Sequence, residues 1–518
     1  MILSRREFVA AAAAAALTSP SRLSGQAPSA DLALVNGRFV DYRGVVASGL
    51  TIRNGRIQDI GPTITPPPGA PTIDLGGRTV IPGFVDGHVH YTRAGVNPGY
   101  QTRRIERAFS IPELQETIAL RAASVPPGEF ITCIGGWNHT QLAEARRPTR
   151  AELDAAAPDH PVYISGTGGG TGAITNTRGR AFFEANDLAV DEETGVVTPA
   201  NAALAALQSV QTPEDRLRGT ADLNAYAARV GLTTVINSGN LEDQEYPLRL
   251  WRENRLGVRM RPTFPASSPE EAEARILNNF PQGGRAVGDD LYRPAGFGER
   301  IGGTNTMSDQ FGPTARMIAR HGWMLQQHSI GAEENAFHIA AFRSIARDYP
   351  VEALRWSLIH LQEIDGEHLE ALIDLGAGAS AQTWTYLGAG GGPPFRRILD
   401  SGIHAGVGTD STNVSALDPW LSIFYMTTGR NLAGNLTNDG QQVSRLEALD
   451  LYTRGAAWFS FDDHHVGSFD PGKYADLAVL SEDYLAVPDD MIRKIESVLT
   501  LVGGRLVHGS GPFASLPG

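Results

Sequence analysis

From Leu32 the chain alternates apolar and polar residues in short runs, Leu32 to Phe39 and Gly49 to Ile60. Asn36-Gly37 and Asn54-Gly55 stand as hairpin signals inside these runs. The far end mirrors this pattern: Asp476 to Leu480 and Ile495 to Leu501 are strand-like, with a turn at Gly503-Gly504 before Arg505 to His508. Each β-rich piece is too short for a stable sheet alone, so the two ends are predicted to pair into one small β-sandwich.

Between them the period changes. Apolar strand-like runs at Val80 to Val85, Glu129 to Ile134, Pro161 to Ser165, Leu232 to Asn237, Val258 to Phe264, Trp323 to Gln327, Trp356 to Ile359, Ala379 to Gln382 and His404 to Gly408 alternate with helical stretches. Examples of the latter are Pro112 to Ala123, Thr220 to Val230, Pro313 to His321 and Glu367 to Leu375. No dinucleotide glycine fingerprint opens the first unit, so the fold class expected is α/β, a parallel (β/α)8 TIM barrel rather than an open sheet. The organisation expected is an export signal over 1–30, an N-terminal β-sandwich segment over 31–80, the barrel over 81–455 and a C-terminal β-sandwich segment over 456–512.

Composition narrows the function. At 518 residues with 42% hydrophobic and 19% charged positions, the chain has an ordinary globular make-up. A net charge of −13 argues against nucleic acid as a partner, and the single cysteine, Cys133, excludes an intrachain disulfide. The only lysines are Lys473 and Lys494, which rules out lysine chemistry earlier in the chain. At the start, Arg5-Arg6 followed by Phe8 and the alanine run Ala10 to Ala16 resembles a twin-arginine signal. That implies transient contact with the twin-arginine export machinery and a periplasmic or otherwise exported protein. No later stretch is apolar for the ~20 residues of a membrane span.

The chemistry sits at the predicted strand ends. His88 and His90 are two apart in an extended segment and so point the same way. His328, His360 and Asp410 each follow an apolar strand-like run, where a barrel opens its active face. One such histidine reads as structural. Four of them with an aspartate read as a site for a divalent cation, one or two ions, with Zn2+ expected and Mn2+, Fe2+ or Co2+ compatible with the same donors. Cys133 is expected to be buried packing and His464-His465 to be exposed.

Val80 to His90, V-I-P-G-F-V-D-G-H-V-H, resembles the first metal-binding strand of the amidohydrolase superfamily. Gly467 to Leu477, G-S-F-D-P-G-K-Y-A-D-L, resembles its signature at the return to the sandwich. Gly135-Gly136-Trp137, Arg147 to Asp154, Gly231 to Val235 and Gly408-Thr409-Asp410 resemble the amidohydrolase 3, or YtcJ-like, group. The resemblance implies metal ligands at His88, His90, His328 and His360, with Asp410 as the catalytic base.

Two departures from the family pattern stand out. Many binuclear members bridge their ions with a carboxylated lysine from the fourth strand, and none is present here. Glu299 falls where that strand ends and is the expected replacement; a surface Glu299 paired with Arg300 is the alternative and would leave a one-metal site. After the expected third strand, Thr167 to Gly172 is glycine-rich and carries no histidine. No Gly-Lys-Ser/Thr follows it, so a phosphate loop is rejected.

The reaction expected is hydrolysis of a non-peptide amide-type C–N bond in a small molecule by metal-activated water. Asp410 would act as general base, and His139, Trp384 and Tyr386 would contact substrate. Hydrolysis of an ester, lactone or phosphoester, deamination, and non-catalytic metal or ligand binding are the alternatives. A homodimer stays open.

Overall fold

The structure, a computed structural model, describes residues 31–167, 172–239, 242–279, 288–412 and 414–516. The export-signal reading at 1–30 and residues 168–171 of the glycine-rich loop lie outside the described residues. Eight parallel strands run in chain order around a barrel: β1 (Phe84–Val89), β2 (Leu232–Ser238), β3 (Arg259–Ala266), β4 (Gly296–Ile301), β5 (Met324–Ser329), β6 (Ser357–His360), β7 (Gly378–Gln382) and β8 (Ala405–Gly408). All seven residues of β2 are buried, as a strand covered by helices on one side and packed into the barrel on the other requires.

The ring closes where the chain leaving β8 meets β1. Asp410 N donates to His88 O at 2.9 Å and His90 N to Ser411 O at 2.8 Å. Gly408 permits this approach, because a Cβ there would sit 2.4 Å from His88 N and 2.6 Å from His88 O.

Helices form where the sequence can cap them. Pro213–Arg229 starts at Thr212, whose hydroxyl accepts from Asp215 N at 3.2 Å while the Asp215 carboxylate accepts from Thr212 N at 2.9 Å. With Pro213 in the first turn this is a capping box, worth about 1 kcal/mol at the Ncap side chain. The helix packs against β2 and the short helix that follows β1, and forms part of the barrel's outer layer.

Both chain ends meet in the sandwich. One sheet holds Leu32–Val35, Gly49–Arg53, Arg56–Gly61 and Thr72–Asp74; the other joins Arg38–Asp41, Gly44–Ala47 and Thr79–Pro82 to Leu477–Leu480, Ser497–Val502 and Arg505–Gly509. Asn54-Gly55 and Gly503-Gly504 each turn a hairpin. Asn36-Gly37 does not: the strands it joins lie in different sheets, and the turn carries the chain across the sandwich. Asp476 of the tail signature anchors sandwich to barrel, accepting from Arg259 at 2.7 and 2.9 Å with both side chains buried.

The strand assignments need two further corrections. The run Val80 to Val85 is two strands: Thr79–Pro82 pairs with Leu477–Val479 in the sandwich, and β1 begins only after Gly83. Ile131–Ile134 and Val162–Ser165, within the runs expected as barrel strands, belong instead to a separate six-stranded sheet inserted between β1 and β2. They pair with each other, with Tyr100–Gln101 and with Ala173–Thr175, around their own apolar clusters that include Ile131, Val162, Trp137 and Phe183. Local apolarity is the same in both sheets; the partner strands differ. No helix among the described residues is long and apolar enough to cross a membrane.

Candidate metal centre

Four strand ends and one loop bring six side chains together at the same end of the barrel. The alternation of β1 directs His88 and His90 to one side. β4 supplies Glu299, β5 His328, β6 His360, and the turn after β8 Asp410. His360 and Asp410 sit at φ 80° and 56°, a backbone region that non-glycine residues enter at a cost of about 1–3 kcal/mol and that concentrates at functional sites.

Glu299 divides its two oxygens. Oε2 lies 3.3 Å from His88 Nε2 and 2.9 Å from His90 Nε2, while Oε1 lies 3.1 Å from His328 Nδ1 and 3.9 Å from His360 Nε2. Asp410 Oδ1 completes the first side, 3.5 Å from His88 Nε2 and 3.3 Å from His90 Nε2; its Oδ2 is 3.8 Å from His360 Nδ1. Two groups of donor atoms result, His88–His90–Glu299–Asp410 and Glu299–His328–His360, each within 4.8 Å, with Glu299 in both. Glu299 is 8% exposed, so it is not a surface residue, although Arg300 approaches Oε1 at 3.6 Å.

These donors fit a cation better than they fit each other. Both ring nitrogens of His88, both of His360 and Oε2 of Glu299 are buried without a hydrogen-bond partner, despite the short separations. Buried polar atoms left in this way are costly unless something answers them, and imidazole with carboxylate suits zinc, manganese, iron or cobalt. Electrostatics agree. Burial pushes the Glu299 and Asp410 carboxyls up, but the surrounding imidazoles outweigh it and hold both well below the usual range. Burial likewise pulls His88 down, and Asp410 and Glu299 overcome it, raising its pKa to about 10. Both buried carboxyls are thus held in the charged form that a cation would need.

Other groups aim the donors. His90 Nδ1 lies 2.8 Å from Ser238 O at the end of β2, which fixes the tautomer that presents Nε2. Gln382 accepts from His360 N at 2.6 Å. Asp86, absent from the sequence-derived site, binds the turn before Asp410; its position two before His88 on the same strand face was the available signal.

The three expected substrate contacts lie on two different parts of the chain. His139 is half-buried in the inserted domain, its pKa lowered by burial and by Arg147. Trp384, partly exposed, follows β7. Tyr386 is fully buried, and its hydroxyl accepts from Ala416 N at 3.0 Å, so it braces the loop after β8. Thr167 follows the inserted sheet rather than a barrel strand, and its hydroxyl accepts from Gly136 N at 2.9 Å. Cys133 is buried and His464 and His465 are exposed.

Comparison with known proteins shows what the chain resembles in sequence and fold. The chain is 22% identical to the putative amidohydrolase YtcJ of Bacillus subtilis over 84% of its length and 90% of that protein's. It is 31% identical to the N-substituted formamide deformylase of Arthrobacter pascens over a stretch spanning only 26% of either chain. The fold matches the crystal structure of atrazine chlorohydrolase TrzN from Arthrobacter aurescens, complexed with zinc, at a TM-score of 0.57 and 14% identity, covering 92% and 95% of the two chains. The sequence profile of the amidohydrolase family matches residues 71–508. With that match across most of its length, the chain belongs to the amidohydrolase family and is a metal-dependent hydrolase.

Proposed function

We propose that the protein hydrolyses a non-peptide amide-type C–N bond, with Asp410 carrying the proton and with His88, His90, Glu299, His328 and His360 holding two divalent ions. The observation that carries this reading is the division of Glu299 between two imidazole pairs, which lets one carboxylate take the place of the bridging lysine. A cation held there would supply Lewis acidity, acidifying water toward neutral pH and polarising a carbonyl.

The remaining work falls to side chains. Asp410 is buried and charged, beside His88 and His90, where it can accept a proton from the attacking water and pass it to the departing nitrogen. An amine leaves poorly without that proton, so the pairing suits amides better than bonds with good leaving groups. Burial at the barrel mouth keeps the groups in a low-dielectric setting, where charge stabilisation is strongest. His139 and Trp384 are assigned to substrate contact.

The deformylase relative supports a C–N bond as the target, and zinc in TrzN supports zinc as the ion. The paired arginines near the N-terminus support an exported, periplasmic enzyme. The test is a parallel panel of amides, esters, lactones and phosphoesters assayed with metal-replete protein. Preferred turnover of amides is expected; turnover confined to the other bonds, or none at all, overturns the proposal.

A further inference from the structure

A cavity of about 360 Å³ opens where the inserted domain meets the outer helix Pro213–Arg229 and the sandwich strand Arg505–Gly509. Its size and its place between domains are those of a small-molecule site. None of the six donors of the metal centre lines it. The insert contributes Arg103 and Arg104 from the turn Arg103–Arg107, and Leu120 and Arg121 from the helix Ile111–Ala122. The outer helix contributes Asp222 and Arg229.

The arginines are not equally answered. Arg103 pairs with Glu106, Arg121 with Asp222 and Arg229 with Glu496. Among the described residues the nearest carboxylate to Arg104 is Glu496, 3.7 Å away and beyond hydrogen-bond distance. Both oxygens of Glu496 are already taken, Oε2 by Arg229 at 2.6 Å and Oε1 by Arg107 at 3.1 Å. With Asp418 as the second partner of Arg107, five arginines stand against four carboxylates, and Arg104 carries the surplus. Burial, then repulsion from Arg229 and Arg107, holds its pKa below the ordinary value against the pull of Glu496. Its side chain is 40% exposed, so a ligand can reach it, and Leu120 stands 55% exposed in the same wall. A guanidinium is shaped to pair with a carboxylate through two parallel hydrogen bonds, and covering Leu120 rewards an apolar group attached to that carboxylate.

We propose that this cavity is a second ligand site, apart from the metal centre, for an organic acid whose carboxylate pairs with Arg104 and whose apolar body covers Leu120. The inference does not depend on the reaction assigned to the metal centre.

The probes are hexanoate and benzoate, each paired with the alcohol of the same body, hexan-1-ol and benzyl alcohol, together with inorganic phosphate. Each is titrated calorimetrically into metal-replete full-length protein. Wild type is expected to bind the acids about 10- to 100-fold more tightly than the alcohols, the range of a charge-assisted hydrogen-bonded pair, and more tightly than phosphate. Arg104→Met removes the difference between acid and alcohol, and Arg104→Lys recovers part of it. Leu120→Glu, a change at an exposed position, sets a like charge against the carboxylate and weakens the acids more than the alcohols. No preference for the acids in wild type overturns the proposal. Acid binding that Arg104→Met leaves intact belongs to the metal centre and overturns it as well. Phosphate bound more tightly than either acid would give the cavity to a different anion and end the assignment.

Discussion

Thr409 donates its hydroxyl to Asp86 across 2.6 Å and its backbone N–H to the same carboxylate at 2.9 Å. Asp86 also accepts from His88 N at 3.2 Å. One fully buried side chain therefore holds the first strand's histidine and the last strand's aspartate in register. Asp86→Asn keeps the shape but replaces one acceptor oxygen with a donor, so His88 and Asp410 lose their common reference. The expected result is a 10- to 100-fold loss of metal affinity, about the range for groups that orient ligands, with the circular dichroism spectrum unchanged. Chelator competition measures it; wild-type affinity in the variant would remove Asp86 from the positioning role.

The same seam sets a steric prediction. Gly408→Ala would force a methyl to within 2.4 Å of His88 N, a backbone atom that cannot swing aside. Denaturant unfolding should register a loss of at least about 1–3 kcal/mol, the cost of overpacking a tight interior. A variant as stable as wild type would mean the seam is looser than these distances indicate.

Asp410→Asn separates proton transfer from ion holding. The asparagine oxygen would still be available to a bound cation, but it cannot take a proton. Turnover should fall by about 10²- to 10⁴-fold, while the ion content of purified protein stays close to wild type. Retention of most activity would reassign the base.

Glu106, outside the cluster of six donors and fully buried, gives a pH prediction. Burial pushes its carboxyl up to about 7, against Arg103 beside it. The folded value exceeds the ordinary one of 4.5, so the folded state binds the proton more tightly. The stability this group contributes is therefore full below about pH 4.5 and is lost as pH rises through about 7. Compared with Glu106→Gln, wild-type stability should fall by about 2–3 kcal/mol between roughly pH 5 and pH 8. A difference that stays constant, or that grows with pH, contradicts this.

How much of this was legible in the sequence varies by residue. His88 and His90 could be read because strand alternation is local, and the strand-end positions of His328, His360 and Asp410 followed from the apolar runs before them. Glu299 was legible only against the family pattern, through the absence of lysine. Gly83 hid a change of sheet inside one apolar run, because a break of direction at a glycine leaves the hydropathy untouched. Ile131–Ile134 and Val162–Ser165 look like barrel strands for a similar reason: what places them in the insert is the identity of their neighbours, a long-range property.

Glu299 is placed to serve two cation sites at the barrel mouth, and an ion count decides whether it does. Inductively coupled plasma mass spectrometry of purified wild type should find about two divalent ions per chain, and Glu299→Ala should lose at least one of them while remaining folded. Wild-type protein that stays free of metal after incubation with zinc, manganese and cobalt, or a Glu299→Ala variant that keeps the full complement, would contradict the account.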